Sequence, residues 1–240
     1  MRVRSFNSAA DAARTLAERV AQVLTEAIED HGTAVLTLTG GSSPQHLYHT
    51  LATTYGDALD WGKVHFLWGD ERRVPYGHKD SNTATTAPLL DGLQVQRSNL
   101  HPWATEREPA EALAAMRDTL RELGLENAGE QGRRPDVTLL GMGPDGHVAS
   151  LFPDHEPWKG DVGALQDGPM LAYIKDSPKP PPERYTFTFE LLNRSRCTYL
   201  LPFGEQKRKA LERFAAQDES ISASHLQAAE ELVAYTDLKL

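Results

Sequence analysis

The segment Gly141-Met-Gly-Pro-Asp-Gly-His147 places a carboxylate, Asp145, two residues before an imidazole on a glycine-rich turn. Imidazole titrates near neutral pH and can take a proton from water. A carboxylate beside it can orient the ring and stabilise its cationic form. His147 is therefore a candidate general base, with Asp145 as its orienting group. Three more segments carry unusual chemistry. Gly40-Gly-Ser-Ser43 combines glycines, which let a ligand approach the backbone, with hydroxyl donors and free N–H groups at the start of a following helix. That is an anion site, and equally a tight turn with a helix cap. Asp70-Glu-Arg-Arg73 holds Arg72, whose guanidinium matches phosphate oxygens bidentately; the same four residues also read as a surface ion-pair cluster. Lys207, in Gly204-Glu-Gln-Lys207, lies in the first turn of a helix, where a cation is unfavourable by about 0.3–1 kcal/mol. It either answers to a bound anion or is one of three solvated cations with Arg208 and Lys209.

These loops need a frame. Asn7 to His31 repeats apolar residues at three- and four-residue steps (Leu16, Val20, Val23, Leu24, Ala27), and Gly32 follows, which predicts a helix with a C-terminal glycine. Short β-type runs cover Ala34–Thr39, Val64–Trp68, Asp136–Leu140, Met170–Ile174, Tyr185–Phe189, Cys197–Leu201 and Val233–Thr236. Helices are expected from Ser42, with Gln45 completing a capping box, to Gly56, and over 106–123 and 205–216. Strands alternating with helices predict an α/β fold with a mostly parallel sheet covered by helices on both faces. In such folds ligands sit beyond the carboxyl ends of the strands, and the chemically unusual segments follow strands. Linker-like stretches at 126–134 and 177–183 separate no self-sufficient halves, so one domain over 1–240 is expected. The proline-rich 177–183 stretch, stiff because proline fixes φ, immediately precedes Arg184 and reads either as a loop presenting that side chain or as a solvated loop.

Composition removes several classes. With 25 Lys and Arg against 34 Asp and Glu, the net charge of −9 argues against nucleic-acid or anionic-membrane binding through the overall field. A single cysteine, Cys197, forms no internal disulfide and reads as an inert buried thiol. No run approaches the roughly 20 apolar residues of a membrane span, and Met1-Arg-Val-Arg-Ser-Phe-Asn-Ser does not read as a secretory signal, so a cytoplasmic location is expected. Gly141-x-Gly-x-x-Gly146 imitates a dinucleotide fingerprint, but Pro153 and Pro157 allow no full crossover helix after it. No histidine spacing suggests a metal site, and Asp154-His155-Glu156 reads as an exposed polar triplet.

Taken together the segments resemble the 6-phosphogluconolactonase family. The resemblance rests on Leu38-Thr-Gly-Gly-Ser-Ser-Pro44, Trp68-Gly-Asp-Glu-Arg72 with Val74-Pro75, Asp80-Ser-Asn82, Gly141 to Pro153, Pro181-Pro-Glu-Arg-Tyr-Thr186 and Gly204-Glu-Gln-Lys-Arg-Lys-Ala-Leu211, in that order over nearly the whole chain. It implies a Rossmann-like α/β fold similar to glucosamine-6-phosphate deaminase. It implies hydrolysis of 6-phospho-D-glucono-1,5-lactone in the oxidative pentose phosphate pathway, with no metal, no cofactor and a small sugar-phosphate lactone as partner. His147 and Asp145 would be catalytic; Gly40, Gly41, Ser42, Asp70, Arg72, Arg184 and Lys207 would bind substrate. The related sugar-phosphate deaminases carry a glutamate five residues after the motif histidine and Asp-Glu-Tyr at the second loop. This chain has Phe152 and Asp70-Glu71-Arg72 there. A non-catalytic sugar-phosphate sensor would call for an attached DNA-binding module with basic flanks, which the acidic chain does not suggest.

Overall fold

The computed structural model describes residues 1–75, 77–93, 95–126, 132–153, 155, 165–166 and 169–240. Strand β1 (Arg2–Ser5) leads to helix α1 (Ala9–His31). The Ser8 side chain accepts from Asp11 N, and Gly32 closes the helix at φ +80°, its N–H bonded to Ile28 O. The predicted apolar stripe, Leu16, Val20, Leu24 and Ala27, is buried. Then follow β2 (Ala34–Leu38), α2 (Gln45–Thr54), β3 (Val64–Trp68), β4 (Asp70–Arg72), α3 (Asn82–Asp91), β5 (Leu100–His101), α4 (Pro109–Glu122) and β6 (Val137–Leu140). The second half adds β7 (Leu165–Gln166), β8 (Leu171–Ile174), β9 (Arg184–Phe187), α5 (Phe189–Leu192), β10 (Cys197–Leu200), α6 (Arg208–Ala215) and β11 (Glu231–Thr236).

Seven strands form one sheet in the order β1-β11-β10-β6-β2-β3-β5, and every pairing in it is parallel. Strands β2 and β6 are neighbours, yet the chain leaves β2 toward β3 on one side and β6 toward β10 on the other. The strand order reverses there, and a crevice opens beyond the carboxyl ends of the two strands. The segments starting at Gly40 and Gly141 both emerge at that crevice. A smaller antiparallel sheet, β4-β9-β8-β7, branches off where Gly69 separates β3 from β4. Phe187 N donates to Gly69 O and ties the two sheets together at this point.

Several expectations change. The Ser42–Gln45 capping box does not form: α2 starts at Gln45 behind Pro44, with no side-chain cap. The Gln45 amide instead donates to Gly41 O and Thr85 O, bracing the glycine loop against α3. The helix expected from Glu205 begins as a 3₁₀ turn over Glu205–Lys207, leaving Lys207 at the N-cap of α6. Phe189 belongs to α5 rather than to a strand. Strands β1, β4, β5 and β7 and helix α3 were not anticipated. Part of the expected 126–134 linker, residues 127–131, lies outside the described residues, as do Asp154 and Glu156 of the polar triplet. His155 is partly buried and pairs with Asp176 at 2.9 Å. Cys197 is buried, as expected. No helix among the described residues is long and apolar enough to cross a membrane.

Candidate active site

The crevice beyond β2 and β6 is a cleft of about 480 Å³. Its walls include Gly40, Gly41 and Ser42 from the loop after β2, Asp70 and Arg72 from β4, His147 from the loop after β6, and Lys207 from the turn before α6. Seven of the nine expected site residues therefore meet at one place, although they span 168 positions of sequence.

The loop after β6 holds the imidazole by its own backbone. Gly143 N donates to His147 O, and Gly146, at φ +84°, donates back to Gly143 O. His147 Nδ1 lies 2.6 Å from Asp145 Oδ1. An ionised carboxylate only accepts, so Nδ1 carries the proton and Nε2 is left with a free lone pair. Gly143 is required by contact: a Cβ there would lie 2.0 Å from His147 Nδ1 and 2.3 Å from Asp145 Oδ1. Phe152, buried, packs its ring 4.5 Å from the imidazole centroid. Burial pushes the His147 imidazole below its usual pKa; Asp145 opposes that shift and Lys179 adds to it. Burial would raise the Asp145 carboxyl, but the bonds from His147 and Lys179 outweigh it and hold it well below the usual carboxylate range.

The opposite wall is cationic. Lys207 makes no ion pair among the described residues, and burial, with Lys179 nearby, lowers its pKa. Arg72 donates from Nη1 to Asp80 O at 3.2 Å, while its buried Nε has no hydrogen-bond partner and lies 3.8 Å from Asp70. Gly41, at φ +85°, turns the chain of the loop after β2, a conformation that favours glycine. Beneath the wall sits a buried polar frame. Asp70 accepts from Asn82 Nδ2 at 2.8 Å and from Ser150 Oγ at 2.6 Å. Glu71, 1% exposed, accepts from the backbone N–H groups of Arg72, Asn82 and Thr83 and from the hydroxyls of Ser81 and Thr83. Its charge therefore sits at the N-terminus of α3, where an anion is favoured. This corrects the surface-cluster reading of Asp70-Glu71: both carboxylates are interior.

Two expected residues do not line the cleft. Asp145 stands behind His147. Arg184 is 3% exposed, and each of its guanidinium nitrogens is bonded within the protein: Nε to Pro181 O, Nη1 to Ser150 Oγ, and Nη2 to Lys179 O and Pro180 O. Burial and the neighbouring Arg72 push its pKa down to about 10. Arg184 is thus not among the residues lining the cleft: the proline-rich loop wraps around this side chain instead of projecting it. The sequence reading missed Lys179, whose Nζ lies 2.8 Å from Asp145 Oδ2. It also missed Asn82 and Ser150. A lysine held within a run of prolines was the available signal for the first. Asn82 and Ser150 fall inside the family-like segments Asp80-Ser-Asn82 and Gly141 to Pro153, but nothing local marks their roles, because their partners lie 12 and 80 positions away.

A family model described as glucosamine-6-phosphate isomerases/6-phosphogluconolactonase matches residues 7–234. The chain belongs to this family. A rice protein named probable 6-phosphogluconolactonase 3, chloroplastic, is 37% identical over 217 residues, 88% of this chain. The matched region spans 64% of that relative's length. The 6-phosphogluconolactonase of Mycobacterium leprae is 36% identical over 198 residues, covering 81% of this chain and 77% of that protein. Among solved structures, the 6-phosphogluconolactonase of Thermotoga maritima superposes with a TM-score of 0.80 at 23% identity, covering 98% of both chains. That likeness shows the shared α/β fold, as the strand pattern predicted.

Proposed function

We propose that this chain hydrolyses 6-phospho-D-glucono-1,5-lactone to 6-phosphogluconate, with His147 as general base. The observation that carries the reading is an imidazole with Nδ1 committed to Asp145, facing a cleft whose other wall presents Gly41, Ser42, Arg72 and Lys207. A lactone carbonyl is already electrophilic, so a positioned water is a sufficient nucleophile. Nε2 of His147 removes a proton as the water oxygen bonds to C1. The tetrahedral intermediate then collapses, the bond from C1 to the ring oxygen breaks, and the imidazolium returns its proton to that oxygen. Proton transfer from a positioned base typically gives ~10²–10⁴-fold. Gripping the phosphate at the far wall holds C1 against the water, so that binding energy remote from the reacting bond serves the chemistry.

Within this reading the phosphate goes to the Gly40–Ser42 loop, Arg72 and Lys207. Asp70, fixed by Asn82 and Ser150, lies between Arg72 and Arg184 and offsets their mutual repulsion. Phe152 supports the lactonase over the deaminase: it offers a hydrocarbon face to His147 and has no proton to move.

The test is a coupled assay with freshly prepared phosphogluconolactone, corrected for spontaneous ring opening. His147→Ala should lose about 10²–10⁴-fold in kcat while binding 6-phosphogluconate with near-normal affinity. A variant with full kcat removes His147 from the mechanism. Ammonia release from glucosamine 6-phosphate by the intact protein overturns the reading itself.

A further inference from the structure

We propose that Lys179 is a positioning residue for this reaction: by binding the outer oxygen of Asp145 it fixes the carboxylate so that the inner oxygen takes the Nδ1 proton of His147. The inference rests on His147 being the base. Lys179 Nζ lies 2.8 Å from Asp145 Oδ2, while Asp145 Oδ1 lies 2.6 Å from His147 Nδ1. The carboxylate is thus held at both oxygens and cannot rotate away from the ring.

The loop that carries Lys179 is built to hold it in place. Ser177 Oγ accepts from Lys179 N and donates to Lys179 O, and Ser177 N donates to Pro182 O. Prolines at 178, 180, 181 and 182 restrict φ through the turn. Arg184 reaches back from β9 and donates to the carbonyls of Lys179, Pro180 and Pro181. Phe152 lies under both cations, 5.8 Å from Lys179 Nζ and 5.6 Å from the Arg184 guanidinium. The buried arginine therefore acts through the loop rather than on the substrate.

The clamp has an electrostatic consequence. Lys179 Nζ also approaches His147 Nδ1 to 3.2 Å. An ammonium has only protons to donate, and Nδ1 already carries one, so this approach is a repulsion that grows when the ring becomes cationic. The groups facing His147 are Asp145 on its own loop, Asp70 and Arg72 from β4, Lys207 before α6, His46 from α2 and Lys179. Asp145 and Asp70 favour the imidazolium; Lys179 opposes it. Neutral imidazole is the form that takes a proton, and an imidazolium that is less stable gives that proton back more readily to the leaving ring oxygen.

Lys179→Met keeps the aliphatic stem and removes the charge. The His147 titration is followed by NMR in the substrate-free protein, its resonance identified by loss in His147→Gln. In Lys179→Met that titration, and the acid limb of kcat/KM, should move up by about 0.5–1 pH unit. Lys179→Arg should restore both. An unmoved titration in the Met variant, or an Arg variant shifted as far as the Met variant, overturns the proposal. The titration needs no turnover. An inactive wild-type protein would therefore defeat the lactonase reading, while an unshifted ring in an active enzyme would defeat only the role of Lys179.

Discussion

Two charged clefts open at opposite ends of the parallel sheet. The one at the amino ends of β2, β6 and β10 is the larger, about 610 Å³ against about 480 Å³, and holds three arginines, Arg133, Arg134 and Arg196. By size and number of cations it would draw an anion, but three carboxylates, Asp30, Asp136 and Glu230, share its lining. Several of its groups are also tied to the surrounding protein. Arg196 pairs with Glu26 at 2.6 Å and Glu230 at 2.8 Å, Arg133 donates to Thr33 O, and Asp136 accepts from Val35 N. A buried arginine Nε lacks a hydrogen-bond partner at each end, on Arg133 and on Arg72, but at the carboxyl ends the half-buried Lys207 also has no ion pair among the described residues, whereas Arg134 of the other cleft is exposed. The contrast teaches that a half-buried cation left without an ion pair across from a held imidazole, rather than the number of cations, distinguishes the carboxyl-end cleft.

The comparison breaks first, and by the widest margin, at Gly143. An alanine Cβ would overlap the His147–Asp145 pair, so Gly143→Ala must displace the ring. Misplacing a reacting group by about 1 Å costs about 10²-fold. We expect a loss of that order in kcat, with Tm changed little and 6-phosphogluconate affinity nearly retained; stopped assays with matched binding titrations check it. An Ala variant of normal kcat would show that the cleft tolerates movement of its imidazole.

The next largest effect should fall on binding. Charge-assisted hydrogen bonds are worth about 1.5–3 kcal/mol, or roughly 10–100-fold in affinity. Lys207→Ala and Arg72→Ala should each raise KM by such a factor and weaken competitive inhibition by inorganic phosphate. Arg196→Ala, in the larger cleft, should leave KM and phosphate inhibition unchanged. Its partly exposed ion pairs predict a stability loss of at most about 1 kcal/mol, read by denaturant unfolding. Equal effects on KM at the two ends would erase the distinction between them.

Much of this contrast was legible in the sequence, and its gaps have physical causes. The loops after β2 and β6 were readable because glycine, serine, aspartate and histidine within a few residues advertise their chemistry locally. The parallel sheet was readable from buried apolar runs such as Val35–Leu38 and Val137–Leu140. What was lost depends on contacts remote in sequence. Strand β4 is three residues long and charged, and exists because β9 pairs with it across more than 110 positions. Strand β1, at the sheet edge, carries no alternation of its own and is held by β11. The enclosure of Arg184 is invisible in the sequence, because no local pattern reveals that three carbonyls just upstream bond its guanidinium.

The smallest effect separates the cleft from the sheet edge by pH. His65, the second residue of β3, stacks against His101, the last residue of the edge strand β5, with Nδ1 and Nε2 at 3.1 Å, and neither lines the carboxyl-end cleft. One shared proton satisfies the neutral pair. Burial, and then His65, push His101 down to about 4, and burial with Arg133 lowers His65. The folded state therefore binds fewer protons than the unfolded chain between pH about 6.5 and 4, so stability present above 6.5 is lost as pH falls through that window. His147, also lowered, adds to this loss, and in the proposed mechanism its protonation, displaced below the ordinary histidine range, would additionally remove activity. His101→Gln keeps a polar partner that does not titrate. It should flatten the decline of Tm between pH 7 and 5 by a few degrees and leave the acid limb of kcat/KM where it was. An acid limb that moved with His101 would mean that the sheet edge and the cleft are electrostatically coupled, and that the base answers to more than the charges lining its own cleft.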